Sequence, residues 1–379
     1  MFEVIETKNA LVEFVQKISN SSWIALDTEF LREKTYYAKL CLIQIESNEG
    51  IRACIDPLSM EDISPLVELL NDPKITKVFH AAHQDLEILL QISGAVPAPV
   101  FDTQTAAAVL GIGDQMAYAR LIESMTGKVL SKTQSRTNWA QRPLKQAQLD
   151  YAIDDVRYLA QIYPKMIEQL ESKDRLKWLD EDFDQAVNPE TYAINELNRW
   201  KKVRGLQVLK RPQLAVLKYL AAWREEKAEK SNLPRKWVMS DENLIELARQ
   251  QPMDFSGVED IRGLNADRTK KYHKTWFDLI KKGQETPESG WPELPRSKKP
   301  TANQNLTIDL LMLVLQIQAK KHGITPAVIA TRKQVAQMVQ AGDKSLSNDW
   351  RGKLVNDEFA KVLSGELKLG LEGQSVKIS

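Results

Sequence analysis

The sequence predicts an α/β domain with a mixed sheet, followed by two small all-α domains. Short β-rich runs alternate with helical patterns over residues 1–170. Two of these runs are separated by a short polar segment that is typical of a hairpin, so antiparallel and parallel strands are expected in one sheet. Beyond residue 170 the strand signal disappears and helical periodicity dominates.

The predicted elements of the first domain follow one another at short intervals. Runs of apolar and β-branched residues bounded by turn-forming residues predict strands at 23–30, 40–45, 51–55 and 77–79. Helices are predicted at 66–70, at 81–92 and, with Asp102 as the N-cap, at 103–110. In the second half of the chain, helical patterns cover 212–228, 241–250, 267–282, 308–321, 326–340 and 356–363.

A change in composition marks the boundary between the two helical domains. Residues 285–301 are rich in Pro, Gly, Ser and Lys, which is typical of a linker. The expected organisation is therefore an α/β domain, a helical connector, a first helical domain, the linker and a second helical domain, at 1–170, 171–208, 209–284, 285–301 and 302–379.

Composition excludes several classes of protein. Of the 379 residues, 43% are hydrophobic and 27% are charged, and no apolar run approaches the length of a membrane span. Cys41 and Cys54 are the only cysteines, and none of the four histidines stands at ligand spacing from either of them. Neither a disulfide framework nor a zinc site is expected, and the pattern favours a reducing, cytoplasmic location without membrane attachment.

The formal net charge of +1 conceals one strongly basic segment. Between Arg199 and Trp237 there are twelve Lys or Arg residues and three acidic residues. These cations either cover solvated helix faces or form a stripe that faces the phosphates of a nucleic acid.

Asp27 and Glu29 lie two residues apart in an otherwise apolar predicted strand. Because side chains alternate along a strand, both carboxylates lie on one face of it. Two carboxylates beside a core repel each other unless a cation lies between them. With no His or Cys nearby, their oxygen atoms favour Mg²⁺ or Mn²⁺. The alternative is that the end of this strand is exposed and binds no ion.

Asp85 lies at the transition from a predicted strand to a predicted helix. Leu86, Leu89 and Leu90 form the buried face of that helix, and Asp85 lies beside this face. Taken alone, an acidic residue in the first turn of a helix is equally explained by its interaction with the helix dipole.

Asp154 and Asp155 are adjacent, and helical periodicity separates their environments. Asp154 lies roughly opposite the apolar face, where solvent is the natural neighbour. Asp155 lies on the flank of the helix one turn after Tyr151, so both side chains can point into a cleft. Such a pair supplies a metal ligand and a hydroxyl that orients water, although it also occurs in ordinary packing. The apolar face consists of Leu149, Ala152, Ile153, Val156 and Leu159.

Three motifs have the order and spacing of the DEDD exonuclease superfamily, in its tyrosine-bearing branch. They are Asp27-Thr-Glu29-Phe, His80-x4-Asp85-Leu and Tyr151-x3-Asp155. The chain resembles the bacterial ribonuclease D family still more closely, through similar stretches at 30–37, 42–45, 136–144 and 151–159. Residues 212–282 resemble the helicase-and-RNase-D C-terminal (HRDC) module, and 305–375 resemble a divergent second copy.

This resemblance implies a two-metal 3′→5′ exonuclease on a ribonuclease-H-like fold. It implies that Asp27 bridges two divalent ions, Mg²⁺ or Mn²⁺, that Glu29 and Asp155 complete one site, and that Asp85 holds the other ion. It also implies that Tyr151 orients the attacking water and that nucleoside 5′-monophosphates are released. The implied substrate is the 3′ end of RNA, such as a tRNA precursor, and the protein is expected to be a monomer.

Six further residues are predicted to contact the substrate. Tyr36 and Tyr37 can stack on terminal bases, or they cover a core at the edge of a hairpin. Arg32, Gln44, Arg136 and Arg142 are candidates for contacts with phosphate or sugar, or are ordinary structural and surface residues. His80 is predicted to be structural.

Two other functions fit the same residues. A DNA-directed 3′→5′ exonuclease would use the same carboxylates, since the sequence offers no clear reader of the 2′-hydroxyl. A non-catalytic nucleic-acid-binding protein on an exonuclease scaffold is the second alternative. Four clustered carboxylates argue against it, because they would repel phosphate without serving any purpose.

Overall fold

A six-stranded sheet lies within residues 1–130 of the computed structural model, which describes residues 1–130, 134, 137–294, 299–373 and 375–378. Its strands are β1 (Glu3–Ile5), β2 (Trp23–Leu31), β3 (Lys39–Ser47), β4 (Arg52–Ile55), β5 (Thr76–Phe79) and β6 (Val100–Asp102). They lie in the order β1-β4-β3-β2-β5-β6. Strands β3 and β4 are antiparallel, whereas β1–β4, β2–β5 and β5–β6 pair in parallel. The sheet is therefore mixed, as predicted.

Seven α-helices accompany this sheet in the described part of residues 1–191. They are α1 (Lys8–Ile18), α2 (Ser64–Leu70), α3 (His83–Ser93), α4 (Thr103–Leu110), α5 (Tyr118–Thr126), α6 (Gln146–Ser172) and α7 (Asp180–Val187). The longest, α6, packs on β4 and β5 and on α4. Asp102 caps α4 by accepting a hydrogen bond from the backbone N–H of Gln104, as the sequence predicts.

The chain divides into two compact units. Unit 1 comprises Met1–Glu29, Leu40–Thr191 and Lys298–Ser379, and unit 2 comprises Phe30–Lys39 and Tyr192–Ser297. The chain thus leaves unit 1 and re-enters it twice.

Unit 2 is a helical domain whose helices pack around an apolar core. Its helices are α8 (Arg211–Lys230), α9 (Arg235–Val238), α10 (Asp241–Gln250), α11 (Phe255–Glu259) and α12 (Ala266–Gln284). Trp276 is fully buried in this core among Leu217, Leu220 and Leu244. Helices α8 and α12 approach closely at Gly283, where a Cβ atom would lie 2.5 Å from the Cα of Val216.

The last helical segment belongs to unit 1. Helices α13 (Ala302–His322), α14 (Pro326–Ile329), α15 (Arg332–Ala341) and α16 (Trp350–Ser364) precede a hairpin of β7 (Leu369–Glu372) and β8 (Ser375–Ile378). Trp350 stacks on Trp178 with 4.4 Å between ring centroids, and Arg351 forms an ion pair with Asp182 at 2.8 Å. These contacts join the segment firmly to the α/β domain.

A glycine is required where α4 ends, because another main chain lies against it. Gly111 has a φ of +81°, and a Cβ atom there would lie 1.8 Å from the carbonyl oxygen of Gly323. Arg175 donates hydrogen bonds to the carbonyl oxygens of Val109 and His322, which are the neighbours of this contact. The main chains at the end of α4 and the end of α13 are therefore in direct contact.

The sequence predictions omit several elements. Strands β1 and β6 have three residues each, too few to show an alternating pattern. Helices α1 and α5 are also absent from the predicted elements. The expectation that strands end near residue 170 is wrong, since β7 and β8 follow α16. In the part of the chain that the structure describes, no helix has both the length and the apolar character needed to cross a membrane.

Candidate active site

A cavity of about 380 Å³ opens in unit 1 at the carboxyl-terminal half of β2. We call it the carboxylate cavity. Its lining contains three acidic residues, two tyrosines and one histidine: Asp27, Glu29, Asp155, Tyr118, Tyr151 and His80. Strand β2 and helix α6, which are distant in sequence, thus supply its three carboxylates.

Asp27, Glu29 and Asp155 form a cluster of carboxylates. Each of them offers one oxygen atom, and these atoms lie within 4.8 Å of one another. Asp27 and Glu29 share one face of β2 because side chains alternate along a strand, and α6 places Asp155 opposite them. Oxygen atoms at this separation can share one cation.

Asp85 lies next to this cluster in the first turn of α3. Its side chain is buried, with 8% of its surface exposed, and its Oδ1 accepts a 2.5 Å hydrogen bond from the hydroxyl of Thr28. The negative charge of Asp85 raises the pKa values of Asp27 and Glu29, so the three side chains interact electrostatically. The structure therefore brings the four predicted carboxylates close together, and three of them have oxygen atoms within 4.8 Å of one another.

The electrostatics of the cluster fit a divalent cation. Burial, followed by the charges of Asp155, Asp85 and Glu29, raises the pKa of Asp27 well above its ordinary value. Burial and the charges of Asp155 and Asp85 raise the pKa of Glu29 to about 8. Carboxylates in this situation attract either protons or a cation, and hard oxygen donors favour Mg²⁺, Mn²⁺ or Ca²⁺.

The two adjacent aspartates of α6 have different surroundings. Asp155 lines the carboxylate cavity, and burial, then the charge of Asp154, raises its pKa. The side chain of Asp154 is 41% exposed and lies 3.6 Å from the guanidinium of Arg157. The placement agrees with helical periodicity.

Tyr151 lines the cavity one helical turn before Asp155. Burial and the charges of Asp155, Glu29 and Asp27 raise the pKa of its hydroxyl. The hydroxyl therefore keeps its proton at neutral pH and can donate a hydrogen bond into the cavity.

Sequence reasoning missed two residues that hold the acidic side chains in place. One is Thr28, whose bond to Asp85 links β2 to α3. The other is Tyr118, whose hydroxyl donates hydrogen bonds to the carbonyl oxygens of Asp154 at 3.0 Å and Asp155 at 2.5 Å. Thr28 could have been found from its position between two acids, whereas nothing around Tyr118 in the sequence indicates its partner.

The surroundings of His80 are those expected of a structural residue. Its Nδ1 lies 3.0 Å from the hydroxyl of Thr103, and its Nε2 lies 3.0 Å from the carbonyl oxygen of Met116. Both ring nitrogens are thus engaged within unit 1.

Tyr36 and Tyr37 do not line the carboxylate cavity and belong to unit 2. Tyr36 is 5% exposed, and its hydroxyl donates a 2.5 Å hydrogen bond to Glu225. The hydroxyl of Tyr37 is hydrogen-bonded to Glu229. The ring of Tyr36 is covered by the helical domain, which favours the alternative expectation that it covers a core, whereas Tyr37 is half-buried.

The other predicted substrate contacts lie in varied surroundings. Gln44 is fully buried in β3, so its side chain is not accessible to RNA. Arg142 makes a bidentate ion pair with Asp56, at 2.5 and 2.6 Å, which is a structural contact. Arg32 lines a second cavity, in unit 2. Arg136 lies outside the described residues.

Residues 2–171 match the 3′-5′ exonuclease family, and residues 213–280 match the HRDC domain. Ribonuclease D of Bartonella henselae is 36% identical over 372 residues, which cover 97% of this chain and 91% of that protein. Ribonuclease D of Granulibacter bethesdensis is 32% identical, with 99% and 96% covered.

The fold is also similar to that of a solved relative. The crystal structure of Escherichia coli RNase D, described as an exoribonuclease involved in structured RNA processing, superposes with a TM-score of 0.81. The two sequences are 31% identical, and the match covers 96% of this chain and 99% of that one.

The carboxylate cluster predicts a difference between two neighbouring substitutions. Asp155→Asn removes the negative charge of this ligand and replaces one carboxylate oxygen with an NH₂ group, so it should weaken Mn²⁺ binding by at least about tenfold. Asp154→Asn, the matched control, should leave the affinity within about twofold, because that side chain faces solvent. Isothermal titration calorimetry measures both. Equal losses would show that Asp155 has no special place in the cation site.

Proposed function

We propose that this chain, which belongs to the ribonuclease D family and is a 3′-5′ exoribonuclease, hydrolyses RNA by two-metal-ion catalysis. The products would be nucleoside 5′-monophosphates. The observation that carries the proposal is the cluster of Asp27, Glu29 and Asp155, with Asp85 beside it. Membership of this exonuclease family supports a divalent metal as cofactor, and we propose two ions, Mg²⁺ or Mn²⁺.

We assign both ions to the four carboxylates. Asp27, Glu29 and Asp155 would hold one ion with carboxylate oxygens. Asp85, buried and fixed by Thr28, would hold the other together with Asp27. When bound, such ions acidify the attacking water and neutralise the charge that develops on the leaving 3′ oxygen.

The chain's own residues supply orientation. The protonated hydroxyl of Tyr151 would donate a hydrogen bond to the attacking water and fix its direction toward the phosphorus. The hydroxyl of Tyr118 donates a hydrogen bond to the backbone carbonyl oxygen of Asp155. This bond would keep the carboxylate of Asp155 in position during hydrolysis. The roles of Tyr151 and Tyr118 are thus positional.

The physiological substrate is proposed from the relatives. The Escherichia coli relative is described as acting in structured RNA processing. By extension, we propose that this protein trims the 3′ ends of structured precursors such as tRNA, as a monomer in the cytoplasm.

The test is digestion of 3′- and 5′-labelled tRNA precursor, with RNA and DNA oligonucleotides of matched sequence. Mg²⁺, Mn²⁺ or a chelator is added, and Asp155→Asn serves as the inactive control. We expect stepwise shortening from the 3′ end, release of 5′-monophosphates, a higher rate on RNA than on DNA, and no reaction with chelator. Faster digestion of DNA would favour the DNA-directed exonuclease instead.

Unit 2 carries a second cavity of about 500 Å³, which we call the basic cavity. Several of its cations are neutralised within the protein: Arg199 and Arg235 pair with Glu225, and Arg224 pairs with Asp241. Its exposed lining residues are four cations, one acid and one indole ring: Arg32, Lys202, Arg204, Lys236, Glu33 and Trp237, of which Trp237 is 49% exposed.

These exposed groups suit the backbone and bases of RNA. Lys and Arg attract phosphates, and an exposed indole ring stacks on a base of any sequence. We therefore propose that the basic cavity contacts RNA away from the scissile bond. Of the two sequence interpretations of the basic segment, the proposal keeps the phosphate-facing one for Lys202, Arg204 and Lys236, which form no ion pair with an acid in the part of the chain that the structure describes.

Neutralising the exposed cations should make RNA binding less dependent on salt. For the triple variant Lys202→Gln, Arg204→Gln, Lys236→Gln, we expect the slope of log affinity against log salt to fall by about 2, since each phosphate contact with a single strand contributes about 0.7. Binding titrations at several salt concentrations measure the slope. Three exposed lysines of α12 outside the cavity lining form the control, Lys270→Gln, Lys274→Gln and Lys281→Gln. An equal fall in both triple variants would show general charge attraction instead.

Removal of the Tyr151 hydroxyl should impair turnover selectively. In Tyr151→Phe the ring keeps its packing but cannot orient water, so we expect kcat to fall by about 100-fold with little change in RNA affinity. Steady-state kinetics and equilibrium binding measure the two effects. Tyr163→Phe, on the same helix but packed against Trp23 and Phe101, is the control and should behave as the unmodified protein. A raised KM with unchanged kcat would assign Tyr151 to substrate binding.

A further inference from the structure

The segment Phe30–Lys39 connects two neighbouring strands of the sheet but belongs to unit 2. It begins directly after Glu29, within the last residues of β2, and ends where β3 begins. A connection between adjacent strands ordinarily runs over the surface of its own domain. Here it contributes to the helical domain instead.

The side chain of Tyr36 is the centre of this attachment. It is 5% exposed and packs with Ala228 and Val238, which lie at the end of α8 and in α9. Its hydroxyl donates a 2.5 Å hydrogen bond to Glu225, and the guanidinium of Arg235 lies 4.9 Å from the centre of its ring.

The main chain of the segment is attached as well. The side-chain oxygen of Asn232 accepts hydrogen bonds from the backbone N–H groups of Tyr36 at 3.1 Å and Tyr37 at 3.2 Å. Asn232 has a φ of +45°, a left-handed conformation that asparagine tolerates better than most residues. We call these contacts of Tyr36, Tyr37, Glu225 and Asn232 the anchor.

The anchor keeps its charges and protons at neutral pH. Glu225 is 1% exposed and lies 2.8 Å from Arg199 and 2.5 Å from Arg235. Although burial acts to raise the pKa of Glu225, its bonds from Arg235 and Tyr36 lower that pKa below its ordinary value. Burial and Glu225 together raise the pKa of Tyr36, which therefore remains a donor.

We propose that Tyr36 and Asn232 are positioning residues for hydrolysis, because the anchor fixes the end of β2 and with it Glu29. Glu29 lies two residues before β2 ends at Leu31, and only four residues separate Leu31 from Tyr36. A chain so short transmits a displacement of the anchor to the strand, since each residue spans at most about 3.6 Å. This inference rests on the proposed role of Glu29 in hydrolysis.

The test uses a double variant that removes polar contacts of the anchor and keeps its packing. Tyr36→Phe keeps the ring, and Asn232→Gly suits the left-handed backbone while removing the acceptor. The matched control combines Tyr219→Phe, on the same helix as Glu225, with Gln251→Gly, which has a φ of +51°. A trinucleotide is the substrate, because it offers little backbone for contacts outside the carboxylate cavity.

Four quantities are measured for each protein: kcat, KM, the melting temperature, and the rate of trypsin cleavage after the exposed Lys34. We expect the double variant to be cleaved faster at Lys34 and to lose about 10- to 100-fold in kcat, because small misplacements of catalytic groups have effects of this size. Its KM and melting temperature should stay near those of the unmodified protein, and the control should be unaffected.

Unchanged kcat in the double variant would overturn the inference, whether or not cleavage at Lys34 increased. A fall in kcat that the control shares, or that accompanies an equal fall in melting temperature, would also overturn it, since either indicates general destabilisation. If the unmodified protein left the trinucleotide intact, the proposed function would fail instead, so the two failures are distinguishable.

Discussion

Mutual repulsion among closely spaced, half-buried carboxylates shapes the architecture around the carboxylate cavity. Asp27, Glu29 and Asp155 offer oxygen atoms within 4.8 Å of one another, in surroundings that raise their pKa values. Without a cation, like charges at this distance push the elements that carry them apart. The fold opposes this with a strand paired on both sides and a 27-residue helix packed on the sheet. Hydrogen bonds from Thr28 and Tyr118 then fix the individual acids.

The sequence predicted those parts of the site that follow from local periodicity. Alternation along β2 placed Asp27 and Glu29 together, and the helical period of α6 separated Asp155 from Asp154. The surroundings of Tyr36, Gln44 and Arg142 could not be predicted in this way. Glu225, which accepts a hydrogen bond from Tyr36, is 189 residues away in the sequence. No local sequence pattern predicts a contact at that separation. Three-residue strands such as β1 escape detection for a related reason, since only tertiary pairing defines them.

The sequence predicted the excess of positive charge in the basic segment, but it did not predict which of its cations are available to a ligand. The excess of cations between Arg199 and Trp237 is present, yet three of the arginines are paired with Glu225 and Asp241 inside unit 2. A buried ion pair serves the architecture of the domain, whereas an unpaired exposed cation is available to a ligand. Burial and pairing, which only the folded structure supplies, decide between these roles.

Because α13–α16 belong to unit 1, this unit cannot fold completely until the last part of the chain has been synthesised on the ribosome. Domains tend to fold as they emerge, at about 5–20 residues per second. Trp178 and Gly111 meet their partners Trp350 and Gly323 only after most of the chain has been made. Residues 40–191 must therefore wait, with part of their surface uncovered, while unit 2 is translated and folds. Completion of the α/β domain is thereby tied to completion of the polypeptide, so a truncated nascent chain lacks a finished nuclease domain.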